Sequence, residues 1–180
     1  MTDATAGPRT GVVLVGHGAI PKDYPRDQVA HMRALEARRR QAGEPPSAEE
    51  QELEHRLRHW PRTPQNDPYQ AGLVSWIRSL QPLLPDVSLA LAYLEFCAPT
   101  LEETVECMRI EGISQVLVAP SMLTPGGVHS EVDIPVILER LRRRYPELEL
   151  RYAWPFDQQL VARMLAEHLT RFHQCESIGV

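Results

Sequence analysis

Three residues of this chain stand where a side chain can do chemistry rather than fill a core. His17 sits between Gly16 and Gly18, directly after the apolar run Gly11–Val15. Glycines on both sides let the backbone turn sharply and leave the imidazole exposed. His129 follows Pro125-Gly126-Gly127 and a second apolar run, residues 115–120. Proline fixes φ there, and the paired glycines reach conformations closed to other residues, so the segment must be a loop. Glu95 closes a third run, residues 87–96, and a carboxylate left unpaired in a core is costly. Two imidazoles and a carboxylate form a donor set for a divalent transition metal. Each residue also has a plain structural reading: a lone histidine can simply pack, and Glu95 can cap or salt-bridge the next helix.

The remaining polar clusters are less specific. His55 and His59 lie at i, i+4, a spacing able to hold a metal, but no third ligand accompanies them. Arg38, Arg39 and Arg40 either steer an anion or line a solvated helix face. Arg142, Arg143 and Arg144 close a helical pattern, where the macrodipole favours cations without any ligand. His168 and His173 read as ordinary surface or packing residues. Cys97, Cys107 and Cys175 form no C-x-x-C pair, which gives no disulfide framework and suits a reducing compartment. A net charge of −5 argues against nucleic acid as a partner. No apolar run approaches a membrane span, and MTDATAGPRT lacks a leader pattern, so the sequence reads as soluble and cytoplasmic.

The elements that must position these residues alternate. Strands are expected over 11–15, 87–96, 115–120 and 148–154, on the strength of short β-branched apolar runs bounded by turn residues. Helical patterns fill the gaps. Residues 27–60 suggest two helices broken by GEPP, with Ser47 and Glu50 as a capping box. PRTPQNDPYQ at 61–70 is a loop, either a ligand cover or a rigid connector, and 71–84 resume a helix. A helix begins near Pro99-Thr100 and stops at Gly112. Another tolerates Pro135 in its first turn, and a last one carries Leu160 to Phe172. Residues 1–10 and the end from Cys175 read as loose. The whole is expected as one α/β domain, residues 1–180, with a flavodoxin-like open parallel sheet of about four strands and a helical insertion, 21–84, after the first strand. A doubly wound order 2-1-3-4 brings the tips of strands one, two and three together, and with them His17, Glu95 and His129.

With these motifs in place, the chain resembles the class II chelatases, and within them the small sirohydrochlorin cobaltochelatase-like proteins. LVGHG at 14–18, Glu95 before a proline-initiated helix, and LVAPSMLTPGGVHSEVDIP at 117–135 carry the resemblance. It implies that His17 and His129 bind the incoming metal, with Glu95 the less secure match to the family's acidic residue. It also implies a divalent metal as substrate (Co²⁺, or Ni²⁺ or Fe²⁺), no organic cofactor, a tetrapyrrole as the other substrate, and a homodimer. Ala19 stands where the family usually has serine or threonine. Small members also lack most of residues 21–84, which could form a lid, part of an interface or a separate binding surface. A lid over the cleft would make a monomer feasible.

The chemistry suits the residue types. Neutral imidazoles with an open coordination position hold a metal loosely enough to release it, and a histidine or Glu95 can accept the pyrrole N–H protons. Lys22, Arg26 and Arg62 flank the site loops and are candidates for pairing with tetrapyrrole carboxylates. Three other readings compete: a metal or tetrapyrrole carrier on the same fold, a phosphoryl transferase using His17, and a partner-binding module working through residues 27–84. Gly16 counts against the transferase, which would usually have an arginine before the histidine.

Overall fold

The structure, a computed structural model, describes residues 9–175; most of the two expected loose ends lies outside them. Four strands form one all-parallel sheet in the order β2-β1-β3-β4: β1 Thr10–Gly16, β2 Ser88–Tyr93, β3 Gln115–Pro120 and β4 Glu149–Tyr152. β1 is TGVVLVG, a β-branched run suited to a strand buried in the middle of a parallel sheet. The expected order and all four strands are present. β2 and β4 are shorter than their apolar runs suggested, so Glu95 lies two residues beyond its strand rather than at its end.

One face of the sheet holds the main core. Val13, Val15, Val116, Val118 and Leu150 pack there against α4 (Leu101–Ile110) and α5 (Ile134–Arg144), which contribute Leu101, Val105, Leu138 and Leu141. Burying each such side chain is worth roughly 1.5–3 kcal/mol. Thr100 opens α4 with a complete capping box. Its hydroxyl accepts from the Glu103 N–H, and the Glu103 carboxylate accepts from the Thr100 N–H at 2.7 Å. The arginines closing α5 are not only dipole partners. Arg142 donates to the Leu150 carbonyl at 3.0 Å, and Arg143 and Arg144 pair with Glu139 and Glu106.

Between β1 and β2 run α1 (Arg26–Ala42), α2 (Ala48–Arg58) and α3 (Pro68–Leu80). α3 begins earlier than the sequence suggested because Asp67 caps it and Pro68 suits its first turn. Asp67 accepts from the Gln70 N–H at 2.9 Å. Leu73 on α3 packs with Leu14, Tyr93 and Cys97, so this helix is the crossover over the second face of the sheet. α1 and α2 lie outside that layer. The expected capping box of α2 is half formed: Ser47 accepts from the Glu50 N–H, but the Glu50 carboxylate is drawn to Arg39 at 2.9 Å. The last helix, α6 (Gln158–Cys175), follows β4.

Candidate metal centre

The sheet register places the ends of three strands on one rim. Gly16 pairs with Tyr93, and Val15 with Pro120. The parallel ladder continues past the strands, since Leu94 N–H donates to Gly16 O at 3.0 Å and Glu95 N–H to His17 O at 2.8 Å. This extension sets Glu95 beside His17. It depends on Gly18, whose φ is +96° and where an added Cβ would lie 1.8 Å from the Glu95 carbonyl oxygen. Only glycine allows so close a backbone approach. The chain then turns tightly at Phe96, which has φ 59°. That conformation is unusual for a bulky residue.

His129 arrives from the loop after β3. Residues His129–Asp133 form one widened helical turn, in which the Ile134 N–H reaches back to the His129 carbonyl, and α5 follows with Pro135 in its first turn. Widened turns of this kind are rare and recur at functional sites. The loop is pinned from β4. The Tyr152 hydroxyl donates to Ser130 O at 2.9 Å, and burial pushes that phenol up to about 12, so it remains a donor. Glu131 accepts from the Trp154 indole and from the Gly126 N–H, both at 3.2 Å.

The three expected residues come together. His17, Glu95 and His129 each offer a ligand atom, and these atoms all lie within 4.8 Å of one another. The two imidazoles meet edge to face with centroids 4.7 Å apart, and His17 Nε2 is 3.7 Å from Glu95 Oε2. Ligand atoms of a tetrahedral site with bonds of ~2.0–2.1 Å would be roughly 3.3 Å apart, so only a small closing motion separates this set from a coordination sphere. All three side chains are partly exposed, at 40%, 42% and 24% for His17, Glu95 and His129.

Each imidazole has its other nitrogen occupied. His17 Nδ1 lies 2.9 Å from the Gly18 carbonyl, an acceptor only, so Nδ1 carries the proton. His129 Nδ1 donates to Asp133 Oδ2 at 2.7 Å. Both hydrogen bonds fix the tautomer that leaves Nε2 free, the arrangement that metal-ligating histidines commonly have. Asp133 was not singled out from the sequence, although its i, i+4 spacing from His129 was a readable signal.

The expected cationic residues are not part of this cluster. Lys22 and Arg26 line a separate open hollow with Pro21, Tyr24 and Val29. Arg62 corrects an expectation: its side chain is 7% exposed and turned inward, where Asp67, itself fully buried, pairs with it at 2.5 Å. It also donates to the carbonyls of Ala19 (2.7 Å), Leu57 (3.1 Å) and Phe96. One guanidinium thus ties the loop after His17 to the loop after Glu95. Four of its five N–H donors are used, more than a lysine ammonium could offer, which explains why arginine serves here. Arg58 braces the same loop through Leu94 O (3.0 Å) and Cys97 O (3.2 Å). Neither role has a sequence signature, because each depends on carbonyls from distant segments. The 61–70 loop acts as a connector through Arg62 and Asp67, and Trp60 donates to Asp23 rather than facing the rim. His55 and His59 stack at 4.2 Å, and among the described residues no third ligand joins them. His168 lies 5.0 Å from the Phe172 ring, and the side chain of His173 falls outside the described residues.

Comparison with known proteins supplies a context for this rim. A family model described as CbiX matches residues 65–172. A sirohydrochlorin ferrochelatase from Priestia megaterium is 31% identical over 71 residues, covering 38% of this chain and 26% of that protein. A sirohydrochlorin cobaltochelatase from the same organism is 32% identical over 63 residues, covering 35% of this chain and 20% of that protein. The sirohydrochlorin chelatase SirB from Bacillus subtilis subspecies spizizenii, solved with cobalt, superposes with a TM-score of 0.51 at 17% identity, over 94% of this chain and 51% of SirB. A cobalamin-biosynthesis CbiX protein from Marinobacter aquaeolei superposes equally well, TM-score 0.51 at 16% identity, over 93% of this chain and 98% of that one. The chain therefore spans about half of SirB and a smaller share of the two curated chelatases, and the two structural likenesses establish the flavodoxin-like α/β fold. Among the described residues, no helix is long and apolar enough to cross a membrane.

Proposed function

The chain belongs to the CbiX family, and from that premise we propose that it is a chelatase inserting a divalent metal ion, cobalt foremost and nickel or iron as alternatives, into a sirohydrochlorin-type tetrapyrrole. The observation that carries this reading is the convergence of His17, Glu95 and His129 on one rim with both Nε2 atoms left free. In this reading the metal is a substrate, held by His17 and His129 with Glu95 as a third donor. Two imidazoles and one carboxylate leave coordination positions open, so the ion can pass to the four ring nitrogens. Insertion displaces two pyrrole N–H protons. As the ion passes to the ring Glu95 releases it and, partly exposed beside His17, accepts these protons in turn and passes them to water.

Lys22 and Arg26, exposed on the segment leaving the His17 loop, are proposed partners for the substrate carboxylates; Arg62 is not, because its guanidinium is taken up inside the protein. We further infer a homodimer, supported by the apolar face that α6 leaves exposed.

The test is an anaerobic absorbance time course of sirohydrochlorin with Co²⁺, Ni²⁺ or Fe²⁺, corrected for the uncatalysed rate. His17→Ala and His129→Ala are each expected to reduce the acceleration by at least about 100-fold, beyond the effect usual for outer partners of a ligand. A wild-type rate equal to buffer, with metal binding intact, would replace the chelatase with a carrier.

A further inference from the structure

A second concave feature begins on the segment that leaves His17, and its chemistry differs from that of the rim. This segment and the first turns of α1 enclose an open hollow of about 660 Å³, within the size range of small-molecule pockets. Ile20, Pro21, Val29 and Ala30 give it apolar walls. Lys22, Arg26 and Arg33 stand around it, and among the described residues no carboxylate lines it. In a chain of net charge −5, the hollow is a local reversal of sign.

The three cations are free to take a ligand. Arg39, Arg58 and Arg62 each hold a carboxylate, whereas among the described residues Lys22, Arg26 and Arg33 enter no ion pair, and all three are exposed. The platform beneath them is fixed. Pro21 and Tyr24 are buried, the Lys22 N–H donates to Asn66 O at 2.9 Å, and the Tyr24 ring meets Trp60 edge to face at 5.0 Å. Asp23, next to Lys22, is occupied by the Asn66 amide and the Trp60 indole, both at 3.1 Å. Arg26 and Arg33 stand two helical turns apart on one face of α1, roughly 10 Å along its axis. That spacing suits separate anions on one ligand rather than a single small ion.

We propose that this hollow is a carboxylate-recognition subsite for the macrocycle, in which Arg33 joins Lys22 and Arg26, and that it selects rings edged with many carboxylates over rings bearing few. This rests on the chelatase reading and deepens it: the rim residues handle the metal, and the first turns of α1 identify the ring. A sirohydrochlorin-type ring suits the hollow on both counts, because its flat body is apolar and each of its pyrrole units carries carboxylate arms. An edge of the ring resting against Ile20 and Val29 places those arms among the three cations. Guanidiniums grip carboxylates through paired N–H donors, which adds direction to the attraction. The subsite also gives α1 a purpose. This helix buries none of its side chains, so it adds little to the core, and its pairs with α2, His31–Glu49 and Arg39–Glu50, hold it at the edge of the hollow.

The test measures binding of metal-free rings to the full chain by fluorescence quenching, at low and high salt. Arg26→Gln/Arg33→Gln is compared with Arg38→Gln/Arg78→Gln, which removes the same charge from exposed positions outside the hollow. For sirohydrochlorin the first variant is expected to raise Kd about 5–25-fold and Arg33→Gln alone about 2–5-fold. The second variant should stay within about 2-fold of wild type, and the difference should shrink at high salt. For deuteroporphyrin, which has carboxylates on one edge only, the loss in the first variant should be smaller. Equal Kd values in the two variants, or an equal loss for both rings, would overturn the subsite. Wild-type turnover with Co²⁺ tells the two readings apart. Turnover without the Kd difference keeps the chelatase and removes the subsite, whereas the Kd difference without turnover keeps the subsite on a carrier. A wild-type chain that binds no sirohydrochlorin overturns both.

Discussion

The rim and the outer helices α1 and α2 are held together by different physics. At the rim, short hydrogen bonds to named partners fix both imidazoles and the backbone that carries the carboxylate: Gly18 O orients His17, the ladder extension sets the Glu95 backbone beside it, and a widened turn with Asp133 orients His129. α1 buries none of its side chains and meets α2 through the pairs Arg39–Glu50 and His31–Glu49, while α2 buries Leu53 and Leu57; the remaining ion pairs, Arg40–Glu36, Arg56–Glu52 and Arg58–Glu54, each lie within one helix turn. Such pairs contribute only ~0.3–0.5 kcal/mol each. The two regions meet through Arg58 and Arg62, which reach to the carbonyls around Glu95. A pair of helices that is weakly built outside is therefore firmly anchored where it touches the site.

Substitutions can break or sharpen this contrast. The largest effect is expected at the junction. Arg62→Ala leaves Asp67 buried and unpaired and removes donors from Ala19, Leu57 and Phe96. Urea unfolding should then show a loss of about 3–5 kcal/mol. Metal binding should fall with it, although Arg62 touches no ligand atom. A wild-type unfolding midpoint would mean that the junction is not what holds the two loops. Next comes the rim itself. Asp133→Ala should lower Co²⁺ affinity about 10–100-fold in a titration. Asp133→Asn, which keeps an acceptor for His129 Nδ1, should recover part of it. Equal losses in both variants would point to charge rather than orientation. The smallest effect belongs to the outer helices, where among the described residues Arg40 pairs only with Glu36. Arg40→Ala should change stability by about 0.5 kcal/mol or less and leave metal affinity unchanged. A larger change would show that α1 matters to the fold more than its packing indicates.

The contrast also marks what could be read from residues alone. The four strands were legible because short β-branched runs bounded by glycine and proline have few alternatives, whereas the strand order rested on taking the alternating elements as doubly wound, an expectation that the observed order β2-β1-β3-β4 matches. His17 and His129 were legible because glycines flank or precede each. Arg62 was misread as a substrate partner because exposure is not a property of the residue. Its burial comes from Asp67, Ala19 and Phe96, which only the folded chain brings together.

The sequence by itself therefore determined the alternation of strands and helices and singled out the three rim side chains, since local propensity and periodicity act over a few residues. The tertiary structure decided which imidazole nitrogen is free, that Arg58 and Arg62 brace the site, and that Lys22, Arg26 and Arg33 stand around one hollow. Those features depend on contacts between segments far apart in the chain, where no local pattern records the partner.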